Sequence, residues 1–475
     1  MFFRDLSDLE KAIEGILEVE GDDVKVTNAA ELRGSLVDRL ALNAAANDEP
    51  LVKARCQWLI RRAARAVGIE PASIHDLYIA VGRGEAKGGY TVPAINLRTL
   101  TYETARVIFR EALRINAGSF IFEIAKSEMG YTMQRPAEYA SQILAAAIRE
   151  LWKGPVFIQA DHAQINASNY KADPAKEKAG LKTLIREAMA AGFYNIDIDS
   201  STLVDLSLPT LEEQQRENAR VCADMTAFIR ELEPRGVTVS VGGEIGEVGQ
   251  KNSTPEEFHA FMKEYKEALS AYGSDLIGIS KISIQTGTSH GGTVLPDGSI
   301  AEVAIDFDAM KAISEIARKE YGLGGAVQHG ASTLPEEAFS KFVEATAIEV
   351  HLATAFQNLV YDCGAMPEDL KKRIYAWLDE NCAGERKEGQ TDEQFYYKTR
   401  KKGLGPFKRE ILTMPRENLE RIIADFEKKF ALIFEKLNIA GNLPETKNAV
   451  KIVRVPWDAV REEGKLEIGM NEQGE

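Results

Sequence analysis

Pro155-Val156-Phe157-Ile158-Gln159-Ala160-Asp161-His162 is an apolar run that breaks off in an acid and an imidazole. Such a run reads as a strand with chemistry at its C-terminal end. The pattern recurs: Ile277-Gly278-Ile279-Ser280 leads on to His290-Gly291-Gly292, and Gly325-Ala326-Val327-Gln328 leads directly to His329-Gly330. Three of the chain's six histidines therefore follow strand-like runs. Imidazole is the commonest metal ligand and suits zinc. Three strand ends converge on one ion only if their strands share a sheet or a barrel.

Outward from these runs, the same texture extends in both directions. Short strand-like segments are expected at Thr91–Ile95, Ser119–Glu123, Pro155–Ala160, Asn195–Asp199, Val237–Val241, Leu276–Lys281, Ala326–His329 and Ile348–Leu352. Helical patterns fill the intervals, at Tyr102–Asn116, Pro136–Leu151, Glu177–Ala191, Glu212–Glu231, Thr254–Tyr272, Asp308–Tyr321 and Pro335–Ala345. Strand–helix alternation implies parallel strands joined by right-handed crossovers. Eight such units predict an α/β fold, a (β/α)8 TIM barrel over residues 87–365. A doubly wound open sheet competes, but no G-x-G-x-x-G follows the first strand. Residues 1–86 are expected to form an N-terminal helical extension, with helical spacing at Leu6–Val19, Ala29–Leu42 and Pro50–Val67. Residues 366–475 are expected to form a C-terminal helical extension, with a long amphipathic stretch from Arg416 to Leu437 and a polar loop at Ala383–Glu393.

The formal charge is -15 and the pI about 5.2. That balance argues against nucleic acid or an anionic membrane as partner. Cys56, Cys222, Cys363 and Cys382 are scattered, with no C-x-x-C, and read as free thiols in a reducing compartment. No apolar run is long enough for a membrane span or a signal core, so a cytoplasmic protein is expected.

Polar residues gather at the ends of the expected strands. In strand order they are Asn96, Ser127, Asp161 with His162, Asp199, Glu244, His290, His329 and His351 with Thr354. A barrel does its chemistry at that face. Three histidines make a catalytic zinc site with an open position. Asp199 and Glu244 are candidate outer carboxylates or alternate ligands. Asp161 is a candidate proton-transfer group, if a turn at the strand end brings it round to the ligand's side. Gly291 and Gly330 expose backbone N–H groups near expected helix starts, where phosphate binds without a basic patch. His75 is expected in a loop with a structural role, and His259 as a packing or surface residue of a helix.

These motifs, taken in order over about Val92–Tyr361, resemble the class II, zinc-dependent fructose-bisphosphate aldolases and their tagatose-bisphosphate relatives. The matching segments are Gln159-Ala160-Asp161-His162, Ile198-Asp199-Ser200-Ser201, Gly243-Glu244-Ile245-Gly246, Gly287-Thr288-Ser289-His290-Gly291, His329-Gly330-Ala331-Ser332 and Val350-His351-Leu352-Ala353-Thr354. The resemblance implies that His162, His290 and His329 bind Zn2+, with Glu244 part of the metal site and a monovalent cation a further candidate. It implies that Asp161 moves the proton of a C4 hydroxyl, and that Gly291, Gly330, Ser332 and Thr354 hold a phosphate. Ser127 matches a substrate-side serine; Asn96 and His351 are candidate substrate contacts. The implied reaction is reversible retro-aldol cleavage of fructose 1,6-bisphosphate by a homodimer or higher homo-oligomer.

Three departures stand out. Gly249-Gln250-Lys251-Asn252-Ser253 lacks the acid that the family's glycine-rich loop carries, leaving Glu247 or Glu256 as substitutes. Ala331 replaces a glycine, and His351 replaces an asparagine. They open two alternatives: another phosphorylated ketose as substrate, or a non-catalytic aldolase-like partner subunit.

Overall fold

The computed structural model describes residues 1–246, 251–287 and 305–455. Eight parallel strands close into a barrel: β1 Val92–Asn96, β2 Ile121–Ala125, β3 Val156–Gln164, β4 Asn195–Asp199, β5 Ser240–Glu244, β6 Lys281–Ile284, β7 Ala326–Gln328 and β8 Glu349–Leu352. Each pairs with its sequence neighbours, and β8 pairs with β1 to complete the ring. Helices follow the strands, among them Thr101–Ile115, Pro136–Arg149, Pro174–Ala190, Leu211–Leu232, Pro255–Ser270 and Phe307–Tyr321. The fold is the expected (β/α)8 barrel, with the active face at the strands' C-terminal ends.

Local signals explain most of these elements. Thr254 caps the helix Pro255–Ser270 in a reciprocal capping box with Glu257, and Pro255 occupies the first turn. The similar Thr333–Glu336 signal does not start a helix. The chain makes tight turns through Leu334 and Ala338 first, and the helix runs from Ala338 to Glu344 without a side-chain cap.

β2 lies two residues later than expected, at Ile121–Ala125, and two strands lie later still. β5 begins at Ser240 rather than Val237, and β6 occupies Lys281–Ile284 rather than Leu276–Lys281. Gly242, Gly243, Lys281 and Ser283 made these segments look like loop, because the barrel interior holds polar and small side chains at that level. In the N-terminal extension, the expected helix to Val19 stops at Ile13. An antiparallel hairpin follows, Leu17–Glu20 with Asp23–Val26. Gly15 and Gly21, at φ +71 and +62, take left-handed conformations that end the helix and turn the hairpin. The helix Pro50–Ala66 lies close to its expected bounds.

The segment after that helix seals the N-terminal end of the barrel. Pro71–Ala72 adds a short strand beside the start of β3. The Ile74 N–H donates to Asn195 Oδ1 (2.9 Å), and the Ser240 N–H to Ser73 Oγ (3.0 Å). The helix His75–Gly82 then places Tyr78, fully buried, beneath the strands. His75 opens that helix instead of lying in a loop. The C-terminal helix Arg416–Lys436 buries Ile422, Phe426, Phe430, Ile433 and Phe434. Phe430 packs on Phe356, and Phe434 on Phe120. The expected polar loop is a 3-10 turn at Ala383–Glu385 followed by irregular chain, and ends two residues early where Thr391 caps a helix from Asp392 to Thr399. Among the described residues no helix is long and apolar enough to cross a membrane.

Candidate functional site

Strict alternation along β3 would send Asp161 and His162 to opposite faces. A bulge prevents this. Ala160 stands opposite Ile196 and Ala163 opposite Ile198, so Asp161 and His162 together face the single residue Asp197. His162 takes up the extra length at φ +40, a left-handed conformation costing a side-chain-bearing residue about 1–3 kcal/mol. Both side chains thereby reach partners on other strands across the barrel mouth.

His162 Nε2 lies 2.6 Å from His329 Nδ1, and the rings meet edge to face. His162 Nδ1 lies 3.0 Å from Asp199 Oδ2 and 3.7 Å from Glu244 Oε2. His329 Nε2 lies 3.1 Å from Ser283 Oγ. His162, Glu244 and His329 each offer one donor atom, all within 4.8 Å of one another. Two imidazoles and a carboxylate form a donor set suited to zinc. The fit extends to the second sphere: Asp199 also accepts from Gln164 Nε2 (2.7 Å) and Ser201 Oγ (2.7 Å), and so is fixed behind His162. His290 and Gly291 lie outside the described residues.

The electrostatics suit a cation. Burial would raise the Asp199 carboxyl, but hydrogen bonds from His162, Ser201 and Gln164 hold it below the ordinary value. Burial likewise opposes ionisation of Asp161, and the charges of His162 and His351 outweigh it, holding the group well below its usual range. Glu244 goes the other way, pushed well up by burial and by the neighbouring Asp199 charge. A positive ion among these donors would favour ionised Glu244.

One level deeper lies a second polar layer. Lys281 is wholly buried and donates to Gln159 Oε1 (2.8 Å), Asp197 Oδ2 (2.9 Å) and Glu349 Oε1 (2.5 Å). Those three acceptors satisfy the three ammonium protons. Gly242 stands between Asp197 and Lys281 in the strand register. A Cβ there would lie 2.4 Å from Asp197 Oδ1, so only glycine leaves room for the bridge.

The remaining expected residues are spread round the mouth. Asn96 is buried and donates to Glu128 Oε2 (2.5 Å), which Arg98 also binds through the other oxygen. Ser127 is exposed on the short helix Lys126–Tyr131. Gly330 follows His329 at φ +71. Ser332 Oγ accepts from the Ala355 N–H (3.3 Å), beside Thr354 at the start of the helix Thr354–Asp362. His351 is buried; it contacts Asp161 and stacks on His329, with ring centroids 4.1 Å apart. His259 packs on Tyr321, its Nδ1 2.8 Å from the hydroxyl.

Sequence reasoning left Glu123, Gln159, Asp197, Lys281 and Glu349 without a role. For three of them a signal was present: a charged residue set among strand-forming neighbours, at Phe122-Glu123-Ile124, Ser280-Lys281-Ile282 and Ile348-Glu349-Val350. A buried charge at mid-strand requires a partner across the barrel.

Comparison with known proteins bears on the same region. The family described as Fructose-bisphosphate aldolase class-II matches residues 83–406. Among solved structures, a probable tagatose 6 phosphate kinase from Sinorhizobium meliloti 1021 is similar at 14% identity, covering 76% of this chain and 100% of that one, with a TM-score of 0.52. The YdjI aldolase from Escherichia coli K12 is similar at 14% identity, over 79% of this chain and 99% of that one (TM-score 0.45). Fructose-bisphosphate aldolase from Campylobacter jejuni is similar at 18% identity, over 76% and 93% (TM-score 0.44). The comparison with curated protein sequences finds no match.

Proposed function

Because this chain belongs to the class II fructose-bisphosphate aldolase family, we propose that it is a zinc-dependent ketose-bisphosphate aldolase. Its substrate in this reading is fructose 1,6-bisphosphate, cleaved reversibly to dihydroxyacetone phosphate and glyceraldehyde 3-phosphate. The observation that carries the reading is the β3 bulge, which brings Asp161 to the side of His162, Oδ1 to Nε2 3.8 Å.

His162, His290, His329 and Glu244 hold the ion, and Asp199 orients His162. When bound, the ion supplies Lewis-acid polarisation of a ketone oxygen. Asp161 accepts the proton of the C4 hydroxyl; the neighbouring His351 favours the ionised carboxylate that this role needs. The C4 oxygen becomes the aldehyde carbonyl as the C3–C4 bond breaks, and the ketone fragment keeps the electron pair. Gly291, Gly330, Ser332 and Thr354 bind the phosphate of that fragment, while Asn96 and Ser127 line the other side. A monovalent cation belongs to the same reading.

A second substrate, another phosphorylated ketose, is favoured by one observation. Glu256, one of the two named substitutes for the missing loop acid, is an exposed residue in the first turn of the helix Pro255–Ser270. Glu247 lies outside the described residues. The enzyme is further read as a cytoplasmic homodimer or higher homo-oligomer, with 1–86 and 366–475 as extensions of the barrel at 87–365. A coupled cleavage assay over a panel of ketose mono- and bisphosphates, with and without chelator, tests the proposal. Chelator-sensitive cleavage is expected; absence of cleavage across the panel refutes it.

A further inference from the structure

Behind Asp161 lies a line of buried groups, among them His351, expected as a substrate contact but engaged by carboxylates at both ring nitrogens. His351 Nδ1 stands 3.1 Å from Asp161 Oδ1 and 3.0 Å from Glu123 Oε2. Its Nε2 stands 2.6 Å from Glu349 Oε1. Both edges of the ring are thus held by carboxylates, and one face is held by the stacked ring of His329. Glu349 is held as firmly: Oε1 accepts from Lys281 Nζ and from Gln159 Nε2 (2.9 Å), and Oε2 accepts from the Tyr78 hydroxyl. Lys281 has no exposed surface, and its protons are committed to three acceptors.

Two other uses of this cluster do not survive the geometry. A substrate carbonyl cannot reach Lys281 to form a Schiff base. Donor atoms of Glu123, Glu349 and His351, and of Asp161, Asp197, His329 and His351, lie close enough to suggest a second cation. The Lys281 ammonium already neutralises Glu349 and Asp197, one acid of each group.

We infer that Lys281, Glu349 and His351 form a positioning relay: Glu349, anchored by Lys281 and Tyr78, fixes the ring of His351, which in turn fixes the Asp161 carboxylate beside His162. This rests on the aldolase reading for its catalytic consequence, though not for its geometry. It also accounts for a departure from the family pattern. The imidazole at position 351 has two ring nitrogens and spans Asp161 and Glu349, two carboxylates on different strands. An asparagine there is too short to reach both. His351 and Glu349 are positioning residues, since they act on the substrate only through Asp161. A support of this kind contributes roughly 10- to 100-fold to activity.

The test uses the full-length, zinc-loaded chain. His351→Asn is expected to lower kcat roughly 10- to 100-fold, with bound zinc and KM unchanged. Glu349→Gln is expected to lower kcat in the wild-type background and to add nothing to His351→Asn. Unchanged kcat in His351→Asn, loss of zinc in parallel with kcat, or fully additive losses in the double variant overturns the relay. A second arm needs no turnover. In nitrogen NMR of isotope-labelled histidine, the His351 ring signals should move in both Glu349→Gln and Asp161→Asn; signals indifferent to either overturn the relay. If the wild type cleaves no ketose phosphate, the aldolase reading falls while this arm still decides the relay. Should Glu349→Gln fail to fold, Tyr78→Phe removes one donor to the same carboxylate and replaces it in both arms.

Discussion

His162 Nε2 and His329 Nδ1 approach to 2.6 Å across 167 residues of chain. β3 and β7 lie far apart round the barrel, so only ring closure brings these nitrogens together. With Glu244 they form a donor group that could hold a metal ion, and the proposed chemistry depends on it.

His162→Ala and His329→Ala should each abolish bound metal and cleavage together. Elemental analysis of the purified variants, beside the cleavage assay, checks this. A His162→Ala protein that keeps full metal and full activity removes the proposed site.

Asp161→Ala should separate metal from chemistry. Zinc content is expected to stay near wild type, while kcat falls by about 100- to 10,000-fold, the usual contribution of a positioned acid–base group. Unchanged turnover excludes Asp161 from the mechanism.

Gly242→Ala should destabilise the barrel without touching the mouth. The added methyl would lie 2.4 Å from Asp197 Oδ1 and 3.0 Å from Lys281 Cε. Overpacking of this kind costs about 1–3 kcal/mol. Urea unfolding reads the loss; a neutral result indicates that the Asp197–Lys281 bridge is easily displaced.

Lys281→Met removes the ammonium and leaves Asp197 and Glu349 facing each other in the core. Breaking a buried ion pair from one side costs about 3–5 kcal/mol. Adding Glu349→Leu should recover part of that loss, because the uncompensated charge goes with it. A Lys281→Met protein as stable as wild type contradicts the buried network.

Glu70 offers a pH test away from the barrel mouth. It is buried beside Arg65 at 3.7 Å, and burial raises its carboxyl from 4.5 to about 7. Between those values the unfolded chain has released the proton and the folded chain still holds it. The folded state then binds more protons, so stability falls as pH rises from 4.5 to about 7. Glu70→Gln lacks this term and should gain on wild type as pH rises through the window. Parallel stability curves for the two proteins rule the shift out.

Much of the architecture was legible because its causes are local. Alternating strand and helix signals implied the barrel, and the Pro50–Ala66 and Pro255–Ser270 helices followed from spacing, proline and caps. The β5 and β6 starts were read too early because Gly242 and Lys281 look unlike strand residues until the interior they face is known. The first strand of the hairpin, Leu17–Glu20, was read into the end of a helix to Val19 because four-residue strands carry too little pattern to separate the two periods.

By itself, the order of residues determined which groups stand at the strand ends, since strand limits and side-chain types are written locally. It could not determine that Asp161 and His162, adjacent in the chain, face the same way. That depends on two residues of β3 opposing one of β4. Nor could it show that His351 reaches Asp161 and Glu349, or that Lys281 is neutralised by β4 and β8. Those contacts join residues far apart in sequence, and the register of a closed sheet alone sets which of them meet.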